Sequence, residues 1–126
     1  MKEKIVRLFW KYIDSANFEG LSEIMLDETC VWLPNTKEVF RGKNKYIEFN
    51  KQYPGRWYAN VEKLFIADDT VITTTYIFNL DQSITFYVTS FFIIKEEKIE
   101  EITEYWSENS APPTWRLEAD LSEKYE

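Results

Sequence analysis

The sequence predicts an α+β domain in which a cone-shaped, curved antiparallel sheet packs against three N-terminal helices. Two patterns indicate this class. The first half of the chain places apolar residues at helical spacing, whereas residues 57–108 are rich in Val, Ile, Thr, Phe and Tyr between short polar segments. A third observation is the length of 126 residues, which suits one hydrophobic core. An α+β domain, in which helices gather on one face of an antiparallel sheet, agrees with all three observations.

Three helices are predicted in the first half of the chain. Residues 3–16 form the first, because apolar side chains recur three and four positions apart; they are Ile5, Leu8, Phe9, Tyr12, Ile13 and Ala16. A shorter helix begins near Glu19, and its inward-facing residues are Leu21, Ile24 and Met25. The third covers residues 43–52, with Tyr46, Ile47 and Phe49 as its apolar positions, and ends at Pro54-Gly55.

The remaining segments are predicted to be strands. Residues 29–33 and 38–41 form a short hairpin around the turn Pro34-Asn35-Thr36. Four longer strands follow at residues 56–67, 70–78, 83–94 and 99–108. The polar segments between them are short enough for hairpins, which predicts an antiparallel meander.

The predicted domain covers residues 1–113, and residues 114–126 form an acidic C-terminal tail. Leu117, Leu121 and Tyr125 recur at helical spacing after Thr114, a candidate N-cap. The tail is therefore either a short helix or a frayed terminus.

Charge argues against two classes of partner. The net charge is −7, and residues 95–126 hold 10 acidic against 4 basic side chains. Nucleic acids and anionic membranes both require a basic face, so neither is expected as a partner. No apolar run is long enough for a signal peptide or a membrane helix, and a cytoplasmic location is expected.

The composition also excludes several kinds of site. The chain has no His and one Cys, which removes His-dependent nucleophilic machinery and imidazole metal ligands. Its acidic residues show no metal-ligand spacing and its three glycines form no phosphate loop, so neither a metal nor a cofactor is expected. Cys30 is read as a small buried apolar residue.

Three segments resemble the SnoaL-like (polyketide cyclase-like) group of the nuclear transport factor 2-like superfamily. They are KYIDSANFEGLSEIMLDETCVW, VFRGKNKYIEF and KIEEITEYWSENSAPPTWR, and the resemblance covers about residues 3–116. It implies the cone-shaped, cystatin-like arrangement of helices and sheet. It also implies a homodimer formed through the open sheet face, and a small, largely apolar ligand in the cone.

Glu104 is the first candidate catalytic residue. Strand alternation places it on the same face as Ile102 and Trp106, and an inward orientation would raise its pKa by desolvation. The resemblance indicates the same position, because limonene epoxide hydrolase-like relatives carry a catalytic Asp before a Tyr-Phe pair on the last strand. Glu104-Tyr105-Trp106 matches that motif. The alternative is that Glu104 belongs to a solvated acidic strand face.

Tyr12 is the second candidate. The resemblance to ketosteroid isomerase-like relatives, which place an oxyanion-hole Tyr on the first helix, makes Tyr12 a candidate hydrogen-bond donor. The alternative is a core tyrosine whose hydroxyl is satisfied within the protein.

Aromatic side chains are expected to bind the ligand, and the candidates are Trp32, Trp57, Tyr76 and Trp106. The predicted function is binding of a small apolar molecule, with Glu104 as acid/base and Tyr12 as donor in an isomerisation, cyclisation or hydration. The alternative is a non-catalytic dimeric binding module whose cavity is filled by side chains.

Overall fold

The first half of the chain supplies the helices that cover the sheet. In the computed structural model, which describes Met1–Glu126, α1 spans Lys2–Asp14. A 3₁₀ turn at Phe18–Gly20 leads into α2, a single turn at Leu21–Ile24, and α3 spans Lys43–Gln52. The three predicted helices are therefore present.

Six strands form one curved sheet. Their bounds are β1 Met25–Leu33, β2 Glu38–Arg41, β3 Trp57–Ala67, β4 Thr70–Asn79, β5 Thr85–Lys95 and β6 Lys98–Glu108. The strand order is β2-β1-β6-β5-β4-β3, so β2 and β3 are open edges and the sheet does not close into a barrel. The meander β3-β4-β5-β6 is antiparallel throughout, as predicted.

The pairing of β1 with β6 is parallel, which the sequence did not predict. Met25 pairs with Ile99, so β1 begins four residues before the predicted Thr29 and shortens the second helix to one turn. This pairing joins distant parts of the chain, and local residue patterns do not report it.

The core lies between the helices and one face of the sheet. Phe9 of α1 and Phe92 of β5 are fully buried, and their rings meet edge to face with centroids 5.0 Å apart. The Trp10 indole N–H donates to Thr73 Oγ1 at 3.1 Å, which satisfies a polar group inside this core. We call the opposite side of the meander the outer face. Neither α1, α2 nor α3 packs on it.

The C-terminal tail contains a short helix, α4, at Thr114–Ala119. Thr114 is its first residue and makes no capping bond, so the predicted N-cap is wrong. Asp120 adopts a left-handed conformation (φ 54°) and ends the helix before Leu121, which removes the predicted three-residue stripe. Every residue of the tail is exposed.

No helix in the structure combines the length and the apolar character that crossing a membrane requires.

Candidate functional site

A cavity of about 350 Å³ lies between the helices and the inner face of the sheet. Its lining is mostly apolar and comes from nearly every element of the core. Representative lining residues are Ile13, Leu33, Tyr46, Phe49, Trp57, Ile77, Phe86 and Trp106. The volume and the apolar lining fall in the range of small-molecule sites.

Five of the lining rings form a continuous series, which we call the aromatic belt: Phe49, Tyr53, Trp57, Phe86 and Trp106. Successive ring centroids are 5.6, 6.2, 5.6 and 5.8 Å apart, with interplanar angles of 86°, 82°, 61° and 79°. Such edge-to-face contacts are favourable between aromatic rings. Because neighbouring rings are steeply inclined, the belt bounds the cavity from several directions.

Glu104 lies directly behind this lining. Its side chain is on the inner face of β6 and only 1% exposed. The Tyr46 hydroxyl donates to Glu104 Oε1 at 3.2 Å, and the Ser90 hydroxyl donates to Oε2 at 3.3 Å. Tyr46 lines the cavity whereas Glu104 does not, so Tyr46 links the buried acid to the wall of the cavity.

Burial raises the pKa of Glu104 to about 7. Contacts with Tyr46, Trp106 and Ser90 favour the ionised form and oppose the rise in pKa. No Lys or Arg forms an ion pair with this carboxylate. Burial, followed by the nearby Glu104 charge, holds the pKa of Tyr46 well above its usual value, so Tyr46 stays a neutral hydroxyl. The pair can therefore hold and release one proton near neutral pH.

Tyr12 lies apart from this pair. Its hydroxyl donates to Glu23 Oε1 at 3.3 Å, near the surface. Its ring lies against Gly20, where an added Cβ would be 2.7 Å from Cδ1 of Tyr12. Tyr12 does not line the cavity, and the tyrosine that contacts Glu104 is Tyr46.

Sequence reasoning noted Tyr46 only as an apolar position of the third helix. A polar-tipped aromatic at such a position is a signal for a buried hydroxyl that needs a partner. Its partner is 58 residues away, so the sequence alone could not identify the pair.

The four aromatic candidates divide evenly. Trp57 and Trp106 line the cavity. Trp32 does not, because alternation along β1 turns its neighbour Leu33 toward the cavity and its own ring toward the Arg41 guanidinium, 5.4 Å away.

Tyr76 lies on the outer face, because its neighbours Thr75 and Ile77 point into the core. Its ring is 5.5 Å from that of Tyr87, and its hydroxyl donates to Gln82 Oε1 at 3.0 Å. Neither Trp32 nor Tyr76 is therefore placed to contact a molecule in the cavity. No group of three or more Cys, Asp or Glu side chains is placed to hold a metal ion.

No protein family model and no curated protein sequence matches the chain. Solved structures do match. A Kribbella flavida protein classed with the ketosteroid isomerases is 20% identical, with a TM-score of 0.85, and the match covers 99% of this chain and 90% of that one. A nuclear transport factor 2-like protein from Burkholderia xenovorans is 17% identical, with a TM-score of 0.82 and coverage of 99% and 95%.

A protein from Jannaschia sp. described as a SnoaL-like polyketide cyclase is 14% identical, with a TM-score of 0.71 and coverage of 83% and 84%. These likenesses establish the fold that the sequence predicted. The chain has the nuclear transport factor 2-like α+β cone.

Proposed function

We propose that this protein of the nuclear transport factor 2-like fold binds a small, largely apolar organic molecule in its cavity and moves a proton on it through Tyr46 and Glu104. The observation that carries the proposal is the hydrogen bond from a cavity-lining Tyr46 to a buried Glu104 whose pKa lies near 7. A group with that pKa can both give and accept a proton under ordinary conditions. Isomerisation, cyclisation and hydration are the reaction classes that fit.

The geometry supports transfer by way of the Tyr46 hydroxyl. With Glu104 ionised, the Tyr46 hydroxyl donates a hydrogen bond to the carboxylate. Only the lone pairs of its oxygen are then available to a ligand. With Glu104 protonated, the carboxyl group donates to Tyr46 Oη, and the hydroxyl proton of Tyr46 is free to reach the ligand. When the ligand takes that proton, Tyr46 takes the proton of Glu104, so the tyrosine is neutral before and after the step.

The structural neighbours are compatible with this class of chemistry. They include proteins described as ketosteroid isomerase, SnoaL-like polyketide cyclase and epoxide hydrolase. Each of these names describes a reaction on an organic molecule. The substrate of the present protein follows from none of them, because one fold supports many sites.

A second candidate function is binding without turnover. It is favoured by the depth of Glu104, which is 1% exposed and reaches a ligand only through Tyr46. A binding module whose cone is filled by side chains does not fit the structure, because a cavity of about 350 Å³ remains open.

We also propose that two copies associate through the outer face. Tyr87 and Tyr105 on this face are 39% and 46% exposed, and Phe91 packs on Tyr105 with ring centroids 6.1 Å apart. A sheet face this rich in aromatic rings is typical of an interaction surface. A second copy supplies a matching apolar face by symmetry.

Native mass spectrometry of protein purified from its own host tests the binding proposal. We expect an added mass of a small organic molecule on the wild-type chain. Trp57→Ala should reduce the bound fraction because it removes a cavity ring, whereas Tyr76→Ala on the outer face should not. The proposal fails if the wild-type chain is free of ligand and no compound in a library of small organic molecules shifts the indole N–H resonances of Trp57 and Trp106.

A further inference from the structure

Two basic side chains line the cavity, and both make contacts within the protein. Lys51 forms an ion pair with Glu19. Arg56 donates to the backbone oxygens of Asp14, at 2.7 Å, and of Trp57, and its guanidinium lies 4.2 Å from the ring centroid of Tyr58. The Lys51 charge is therefore paired with a carboxylate, and the Arg56 guanidinium is held by backbone oxygens and the Tyr58 ring.

The two acidic side chains of the site form no ion pair. Glu104 receives hydrogen bonds only from neutral groups, Tyr46 and Ser90, and no cation pairs with it. Glu38, which lines the cavity, accepts a hydrogen bond from the Thr36 hydroxyl at 2.6 Å and forms no ion pair. Neither carboxylate is therefore paired with a cation of the protein.

The aromatic belt adds a second feature that favours positive charge. The face of an aromatic ring carries negative potential, and the attraction is greatest for Trp and in sites removed from water. Trp57 and Trp106 both belong to the belt, and Phe86 joins them with centroid distances of 5.6 and 5.8 Å. A compact guest in the cavity is thus bounded by several rings at once.

We infer that the preferred ligand of this cavity is a compact organic ammonium cation, tertiary or quaternary, with apolar substituents on nitrogen. The inference rests on the proposed function, since it names the ligand class of the same cavity. Alkyl groups on nitrogen satisfy the apolar lining, the positive charge meets the ring faces, and Glu104 and Glu38 supply the countercharge. The steep angles between neighbouring rings suit a rounded cation better than a flat one.

Binding of a cation is expected to displace a proton. A positive charge in the cavity favours the ionised form of Glu104, so complex formation at mildly acidic pH releases the proton that this group holds. The titratable group that contacts Glu104 is Tyr46 of α3, which is neutral, and Ser90 of β5 and Trp106 of β6 carry no charge. The released proton is therefore assigned to Glu104.

Three probes of one shape test the inference by calorimetric titration of the full chain. They are choline, the uncharged carbon isostere of choline, and tert-butylacetate, which carries the same branched head group on an anion. We expect choline to bind at least about tenfold more tightly than the isostere, and tert-butylacetate to bind most weakly. Titration in buffers of different ionisation enthalpy should show proton release on choline binding, and Glu104→Gln should abolish that release.

A matched pair of variants locates the effect. Trp57→Leu should remove most of the preference for choline over its isostere, whereas Tyr76→Leu on the outer face should keep it. The inference is overturned if the isostere or tert-butylacetate binds as tightly as choline or more tightly. Binding of either compound in the cavity would still agree with the proposed function. Failure of all three probes also overturns the inference; if a larger neutral compound such as naphthol fails as well, the proposed function fails with it.

Discussion

The Tyr46 hydroxyl lies 3.2 Å from Glu104 Oε1, and this contact connects the cavity to a carboxyl group buried beneath it. The two residues belong to α3 and β6, which meet only in the folded chain. Glu104 is buried and has no cationic partner, so its carboxyl group keeps a proton up to a pH of about 7.

Ionisation of Glu104 should lower the free energy of unfolding as the pH rises from 4.5 to about 7. The folded pKa is raised, so the folded state keeps a proton that the unfolded chain has already released. This stabilising contribution, about 3 kcal/mol, is complete below pH 4.5 and is lost as the pH rises through about 7. Urea unfolding of wild type and Glu104→Gln at about pH 4 and about pH 8 measures it. Parallel pH dependence in the two proteins would contradict the prediction.

Removing the Tyr46 hydroxyl should raise the pKa of Glu104 further. The hydrogen bond from Tyr46 favours the ionised carboxylate, so Tyr46→Phe makes ionisation harder. Ser90→Ala should act in the same direction. Tyr12→Phe is the control, because that hydroxyl contacts Glu23 and should leave the pKa of Glu104 unchanged. Carbon-13 NMR of the labelled Glu104 carboxyl group reads each value, and a shift in Tyr12→Phe with none in Tyr46→Phe would reverse our assignment.

Glu104→Gln should lower kcat about 10²- to 10⁴-fold on any substrate that the protein turns over. The amide keeps the shape of the side chain and cannot take up or deliver the proton. KM should change little, because the cavity lining is intact. Steady-state kinetics measure both constants, and an unchanged kcat would show that Glu104 takes no part in the chemistry.

Phe91→Glu should convert a dimer into monomers. Phe91 packs on Tyr105 at the centre of the outer face, and a charge there would be buried without a partner in the interface. Leu80→Glu is the control, since Leu80 is 81% exposed in the turn between β4 and β5. Light scattering after gel filtration gives the mass of each variant, and a monomeric wild type would refute the proposed association.

Much of the fold could be predicted because its signals are local. The bounds of β2 and α3 agree with the predicted residues 38–41 and 43–52. Gly42 adopts φ 96° between them, a conformation for which glycine is well suited, and Pro54 stops the helix just beyond. Each of these features depends on residues adjacent in sequence.

The site could be predicted only in part, because it depends on which elements meet. Strand alternation placed Glu104 on the same face as Ile102, and both side chains are buried. Alternation alone does not predict which face of β1 carries the ring of Trp32. Tyr12 and Tyr46 both lie on apolar helix faces, and only the packing of α3 against β1 and β2 brings Tyr46 within hydrogen-bond distance of Glu104. The pairing of Tyr46 with Glu104 is therefore a property of the tertiary structure.

Titration of the Glu104 carboxyl carbon in the wild-type protein, followed by NMR, measures directly whether this buried group ionises near neutral pH. The environment formed by Tyr46, Ser90 and the surrounding core predicts a midpoint near pH 7. A midpoint near 4.5, the ordinary value for a glutamate side chain, would show that the carboxyl group is solvated and would remove the basis for an acid–base site behind the cavity.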